Sequence, residues 1–344
     1  MATLYDVAKL AGVSPKTVSR VFNESHLVTE ETRHRVMAAV KDLDYHPNAI
    51  AASLKRQRSN IIGFVVPYGS DFVFEDQNMM EQLRGAHDVL TQEGYDIIIS
   101  APIDKKNALR EASRLIKHRS IDGVILYPSA GVEQIINEFM SKKFSYVTLG
   151  ICFKDQKTNF VDLNLIRPAY VAAKHLINLR SYPIALINKP TSFFMYNKDD
   201  IFSGYKMALE EAGLEFTPDL VREGDYTFEG GYNAFKSLYN SNPTIKSVIC
   251  ASDPMAYGTI KAIEELNLVI GKDIELITGD NLPLTQKLYP YIPAINNPSY
   301  EQGRLAGKMI MSIIKEGVEV DGIYLNTDFV LRSRPLVNRS INML

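Results

Sequence analysis

Residues 4–23 read LYDVAKLAGVSPKTVSRVFN and bring Lys16, Thr17, Ser19 and Arg20 close together in the chain. With Val18, Val21 and Phe22 turned inward, these two cations and two hydroxyls share the outward face of one short helix. Their chemistry is that of polyanion recognition. Hydroxyls and ammonium groups bond phosphate oxygens, and a guanidinium bonds the O6 and N7 acceptors of guanine. Other chemistries find no comparable arrangement. The histidines, His26, His34, His46, His87, His118 and His175, are scattered, and none stands in an H-x-x-E-H or H-E-x-x-H spacing. A G-x-S-x-G turn, a G-x-G-x-x-G loop and a Walker A loop are all absent, and no carboxylate pair is marked by local sequence as an acid/base couple. The chain therefore reads as a binding protein and not an enzyme, with no catalytic residue, no metal ligand and no cofactor.

The elements that must position those four side chains are legible. Leu4, Val7, Ala8 and Ala11 form one apolar stripe of a first helix, and Gly12 supplies a positive φ at no steric cost to end it. Val13 plugs the turn, Ser14 is the N-cap of the second helix, and Pro15 takes its first position. That helix runs to about Asn23. A third follows, capped by Thr29, with Glu30 and Glu31 in its first turn and Val36, Val40 and Leu43 along one side. Three short helices with a sharp glycine turn between the first two form a helix-turn-helix, whose second helix enters the major groove. Next, YHPNAIAASLKRQRSN (45–60) holds a short helix-capable run, Ala49 to Leu54, with Asn48 placed to cap it and Lys55, Arg56 and Arg58 behind. Two turns of helix are unstable alone in water, so this segment is expected to fold only against a copy of itself or on DNA. Leu54, apolar beside cations, suits a wedge between minor-groove base steps.

Charge divides the same way. Residues 1–60 carry a net +3 and the remainder −5 within an overall −2, a small basic head on an acidic body. With 344 residues, 46% hydrophobic and 23% charged, the chain has room for two or three domains. No apolar run approaches the ~20 residues of a membrane span, and the first residues lack a secretory signal pattern. Cys152 and Cys250 lie in apolar strand-like runs and read as buried free thiols of a reducing cytoplasm.

From residue 61 the pattern alternates short apolar runs with amphipathic spans. NIIGFVVP, YDIIISA, DGVILYP and FSYVTLGI read as buried parallel strands, with helices near 77–93, 105–119 and 131–142. The pattern then restarts with YPIALIN, LVREGD, SVICAS and IELITGD, separated by helices near 168–179, 200–213, 229–240 and 254–267. Two successive sets of this kind argue for two doubly wound α/β lobes.

TLYDVAKLAGVSPKTVSRVFN, VTEETRHRV and LDYHPNAIAASL resemble, almost without gaps over residues 3–60, the DNA-binding head and hinge helix of the lactose-repressor/galactose-repressor family of bacterial transcription regulators. The resemblance implies that Pro15, Lys16 and Arg20 read bases. It implies that Thr3, Thr17, Ser19, Asn23, Thr29, Thr32, Tyr45 and Asn48 hold the DNA backbone, and that Leu54 is the minor-groove wedge. Residues 61–335 resemble the same family's periplasmic-binding-protein-like effector domain, best in CASDPMAYGTIKAIEELNL, DIELITGDN and IPAINNPSYEQGRLAG. The implied architecture is α/β: a three-helix head (1–47), a hinge helix and linker (48–60), an N-terminal lobe (61–160 plus 292–322) and a C-terminal lobe (161–291 plus 323–344). The chain then crosses between lobes near 160, 290 and 322. Pro168 and Arg180 stand where the family usually shows glycine.

Ligands of open α/β lobes sit beyond the carboxyl ends of the strands, and sugars take bidentate acceptors and an aromatic face. By the resemblance Asp280 is the acceptor, Tyr226 the stacking ring, and Ser252 stands where the family more often has Asn. Ser129, after VILYP, is a further strand-end candidate. Asp253 reads as the N-cap of the next helix. The family usually carries an Arg before its Gly-aromatic pair, here Gly204-Tyr205; this chain has NKDDIF, where Lys198 or Asp199 is the available substitute. The longer loop YGSDFVFEDQNMM places Asn78 and Met79 where aromatics are usual, and puts Phe72 and Phe74 either in the effector wall or in the core.

The function so implied is a cytoplasmic repressor of carbohydrate-use genes. It is expected to bind double-stranded DNA at a palindromic operator as a homodimer, with no membrane partner, under control of a mono- or disaccharide or its phosphate. Alternatives are a global carbon-control regulator switched by a phosphorylated carrier protein, a non-sugar effector such as a nucleobase, and an architectural DNA binder with an inactive site.

Overall fold

A computed structural model describes residues 2–23, 27–45, 58–67, 76–101, 110, 114, 120–128, 132–152, 155–190 and 200–332. The chain divides into two units, Met1–Ser59 and Asn60–Leu344.

The first unit packs α1 (Leu4–Ala11), α2 (Pro15–Asn23) and α3 (Glu30–Asp42) around Val7, Ala8, Ala11, Val18, Val21, Val36, Ala39 and Tyr45. Each helix starts on a hydroxyl that satisfies an otherwise orphaned amide. Thr3 Oγ1 accepts from the Asp6 amide and the Thr3 amide donates the reciprocal capping-box bond to Asp6 Oδ2 at 2.8 Å, Ser14 Oγ accepts from the Thr17 amide at 3.1 Å, and Thr29 accepts from the Thr32 amide. Gly12 ends α1 at φ 65°, where any L side chain is strained.

In the second unit β1 (Ile61–Val65), β2 (Asp96–Ser100), β3 (Gly123–Leu126) and β4 (Ser145–Thr148) form a parallel sheet in the order β2-β1-β3-β4. Its helices include α4 (Gln77–Gln92) and α5 (Val132–Ser141). β5 (Val161–Asn164) continues it through a parallel bridge between Thr148 and Phe160. After β5 come α6 (Ile166–Asn178), β6 (Ile184–Asn188), α7 (Asp200–Glu211), β7 (Val221–Glu223), α8 (Phe228–Ser241), β8 (Ser247–Cys250), α9 (Asp253–Glu265) and β9 (Glu275–Ile277). These strands make a second parallel sheet, ordered β7-β6-β8-β9. Strands β1, β3, β6 and β8 are buried almost throughout, as a sheet covered on both faces requires. The helix expected near 105–119 falls largely outside the described residues.

The chain then leaves and re-enters both sheets. After α10 (Pro283–Leu288), β10 (Ala294–Ile295) adjoins β9 through a bridge between Thr278 and Ala294. α11 (Ser299–Glu316) returns to the first sheet and lies on α4, where a Cβ on Gly303 would stand 1.8 Å from the Gln82 carbonyl oxygen. Gln82 Nε2 donates to Gln302 Oε1 and Gln302 Nε2 to the Val161 carbonyl, both at 2.8 Å, so α11 is tied to α4 and β5. β11 (Ile323–Asn326) pairs parallel with β5, and β12 (Phe329–Val330) pairs antiparallel with β10. The crossings therefore follow Asn164, Asn297 and Asn326, each a few residues beyond the positions expected from sequence. VDLN belongs with the first sheet through the Thr148–Phe160 bridge that precedes it, and it carries IYLN there with it.

Within the second sheet's layers two helix pairs repeat one design. Gly204 of α7 presses on the Ile166 carbonyl of α6, and Gly258 of α9 on the Phe228 carbonyl of α8. Beside each contact a tyrosine, a lysine four residues on and a glutamate of the opposing helix join hands: Tyr170, Lys174 and Glu211 in one pair, Tyr232, Lys236 and Glu265 in the other.

Candidate nucleic-acid interface and effector site

In the first unit the capped start of α2 presents the residues with recognition chemistry. Lys16 is exposed, while Pro15, Thr17, Ser19 and Arg20 are half-buried beside the buried Val18. Thr17 Oγ1 lies 2.9 Å from Ser14 Oγ, which orients its hydroxyl at the helix start. That helix end also carries the positive end of the backbone dipoles, which favours phosphate. Thr29 donates to Thr32 Oγ1 at 3.0 Å at the start of α3. Thr3 is held by Asp6, and the Tyr45 ring lies in the core with its centroid 6.3 Å from that of Phe22. Asn23 closes α2. Asn48 and Leu54 lie outside the described residues.

In the second unit Tyr226, Ser252 and Asp280 follow the carboxyl ends of β7, β8 and β9, on one edge of one sheet. Tyr226 is half-buried with φ 66°, a left-handed conformation rare for an aromatic residue. Ser252 and Asp280 are brought together. A Cβ on Gly279 would stand 2.7 Å from the Ser252 nitrogen, and the Asp253 amide donates to Asp280 Oδ2 at 2.9 Å. The helix that begins here is capped by Ser252, whose hydroxyl accepts from the Met255 amide, and not by Asp253 as the sequence suggested. Asp253 is instead wholly buried and gathers the turn after β9. Its carboxylate accepts from the amides of Asp280, Asn281 and Leu282 and from the hydroxyls of Thr278 and Thr285. A competing set of donors distant in sequence decides between two equally good capping residues.

Asp280 is buried, with one oxygen turned toward the second crossing. Asn297, in the second crossing, donates to Asp280 Oδ1 at 3.3 Å. The Asn78 side chain at the start of α4 lies close enough to favour this carboxyl's ionised form, and Asn78 Oδ1 accepts from Ser299 Oγ at 2.6 Å. Burial and the neighbouring Asp253 charge push the Asp280 carboxyl up to about 7. For Asn78 the signal was its place in the loop where the family usually carries aromatics; for Asn297 and Ser299 it was only the Asn-rich INNPSY run. Phe72, Ser129, Lys198 and Asp199 lie outside the described residues. Asp200 begins α7, is buried, and accepts from the Leu165 amide at 3.3 Å. Among the described residues no group of three or more His, Cys, Asp or Glu could hold a metal ion, and no helix is long and apolar enough to cross a membrane.

Residues 3–48 match the family described as bacterial regulatory proteins, lacI family, and residues 59–331 match periplasmic binding proteins and sugar binding domain of LacI family. The transcriptional regulator RegA of Clostridium saccharobutylicum is 32% identical over 92% of this chain and 94% of its own length. The ribose operon repressor of Haemophilus influenzae is 30% identical over 92% of each. A solved complex of the transcriptional regulator CelR with cellobiose is 25% identical, with TM-score 0.73 over 97% of this chain and 100% of that one. A helix-turn-helix with a capped recognition helix, two parallel sheets crossed three times and matches over both units make this chain a DNA-binding transcriptional regulator that belongs to the lacI family.

Proposed function

We propose that this regulator represses genes of carbohydrate use and releases its operator when a mono- or disaccharide, or its phosphate, binds at the carboxyl edge of the second sheet. The observation that carries the reading is Asp280, a buried carboxyl at a strand end whose second oxygen accepts from Asn297, with Asn78 nearby. A sugar hydroxyl pair suits such an acceptor, with Tyr226 as the ring for its C–H face. Relatives named for ribose and found with cellobiose support a sugar. The chain acts in the cytoplasm, where its DNA is, and performs no chemistry on the effector.

Control is conformational linkage between two states, and the effector must bind them unequally. In this reading a homodimer holds a palindromic operator, Lys16 and Arg20 read bases, and the 48–60 segment folds with Leu54 wedged in the minor groove. Effector binding repositions the lobes, that segment unfolds, and specific affinity falls. The test is a thermal-shift screen of monosaccharides, disaccharides and their phosphates against the wild type and Asp280→Asn. A true effector raises the melting temperature of the wild type and loses that effect in the variant. A panel with no active sugar removes the carbohydrate reading.

A further inference from the structure

The turn after β9 has a second tether. All three amides of Asp280, Asn281 and Leu282 point at Asp253, so the side chains of the turn find other partners. Asn281 sits at φ 61°, a conformation Asn tolerates but does not prefer. Its Nδ2 donates to Asn296 Oδ1 at 2.7 Å, and its Oδ1 accepts from Nη2 of Arg332. Arg332 Nη1 donates to the Ile292 carbonyl at 2.7 Å. The Asn296 amide donates to the Asp328 carbonyl at 2.8 Å, and the Asn297 amide to the Asp280 carbonyl at 3.1 Å. One guanidinium thus closes a ring through Asn281, the strand leaving the second sheet and the strand returning to it.

We propose that Arg332 is the positioning residue of the effector turn: its fork fixes Asn281 and so sets the Asp280 carboxyl against the second and third crossings. The planar fork spans the Ile292 carbonyl and the Asn281 amide in one pre-organised geometry, which a flexible, point-like ammonium matches less well. Burial lowers the guanidinium's basicity and the nearby Asp253 charge opposes that, while its hydrogen bonds go to neutral oxygens. Its consequence for signalling rests on the reading of Asp280 as the effector contact; its geometry does not.

The test is hydrogen exchange of the full chain followed by mass spectrometry, for wild type, Arg332→Lys, Arg332→Gln and Asn281→Gly. Expected is exchange faster by about tenfold or more, as for a locally opened segment, in peptides covering 278–297 of Arg332→Gln and Asn281→Gly. Arg332→Lys should be intermediate, and peptides over β1 and α6 unchanged. No acceleration at 278–297, or equal acceleration everywhere, overturns the proposal. Asn281→Gly keeps the experiment decisive should Arg332→Gln fail to fold, because it breaks the same bond and suits a positive φ. The sugar panel is then run on wild type and Arg332→Lys. A wild type blind to every sugar defeats the effector reading alone, whereas a sugar that shifts both proteins equally defeats the signalling role of Arg332.

Discussion

Asp253 and Asp280 accept hydrogen bonds from each other's backbone amides, at 2.9 Å and 3.0 Å. The exchange is unequal in what remains. Asp253 uses both oxygens on the turn, whereas Asp280 keeps one for Asn297 and for whatever displaces it. Asp253 is therefore a structural carboxylate and Asp280 the chemically available one. Asp253→Ala strands two buried amides, one half-buried amide and two hydroxyls, and a loss of about 3 kcal/mol or more is expected from unsatisfied donors. Urea unfolding of variant and wild type measures it, and a loss below about 1 kcal/mol contradicts this role.

The raised Asp280 carboxyl makes a pH prediction. Its value rises from 3.8 unfolded to about 7 folded, so the folded protein holds this proton more tightly than the unfolded chain does. Its contribution to stability is complete below the unfolded value, falls as pH rises, and is gone above the folded one. Asp280→Asn cannot ionise. Its melting temperature should gain on the wild type steadily between pH 4 and pH 7 and run parallel above, by calorimetry in matched buffers.

Two glycines hold the helix pairs of the second sheet at their separation. A Cβ on Gly204 would lie 2.2 Å from the Ile166 carbonyl oxygen, and one on Gly258 1.9 Å from that of Phe228. Gly204→Ala and Gly258→Ala should each cost about 1–3 kcal/mol or more, since backbone must move. Glu211→Gln and Glu265→Gln, which break the exposed ends of the same pairs, should cost no more than about 1 kcal/mol. Denaturant midpoints of the four variants test that order.

On the DNA side, Arg20→Ala should lose about 1–3 kcal/mol of discrimination between a selected duplex and a random one. Competition binding at fixed salt reads it directly. Equal discrimination in variant and wild type would remove Arg20 from base reading.

Much of this was legible because local and tertiary demands agree. Gly12, Ser14 and Thr29 stop and start helices by backbone chemistry that operates over four residues. The runs of β1, β3, β6 and β8 are apolar because both faces of their sheets are covered. Legibility failed where a distant partner decides. VDLN is four residues long, and its side of the crossing is set by the Thr148–Phe160 bridge and by Gln302 of the distant α11, which bonds the Val161 carbonyl. Ser252 and Asp253 are interchangeable as caps until the turn at 278–285 claims one of them. Arg180, an apparent departure from a usual glycine, occupies φ 57°, so the backbone demand persists and a strained side chain meets it. Asn281 and Arg332 carried no pattern, since their bond joins two loops.

The three crossings also order the chain's assembly during synthesis. The second sheet's main block, residues 166–295, emerges as one uninterrupted stretch and can pack as soon as it is made. The first sheet cannot: β1 to β5 emerge early, but α11 and β11 arrive only with residues 299–326. The half that is translated first thus waits for residues made near the end, with the surface of α4 that Gly303 must meet left uncovered until nearly the whole chain has been made.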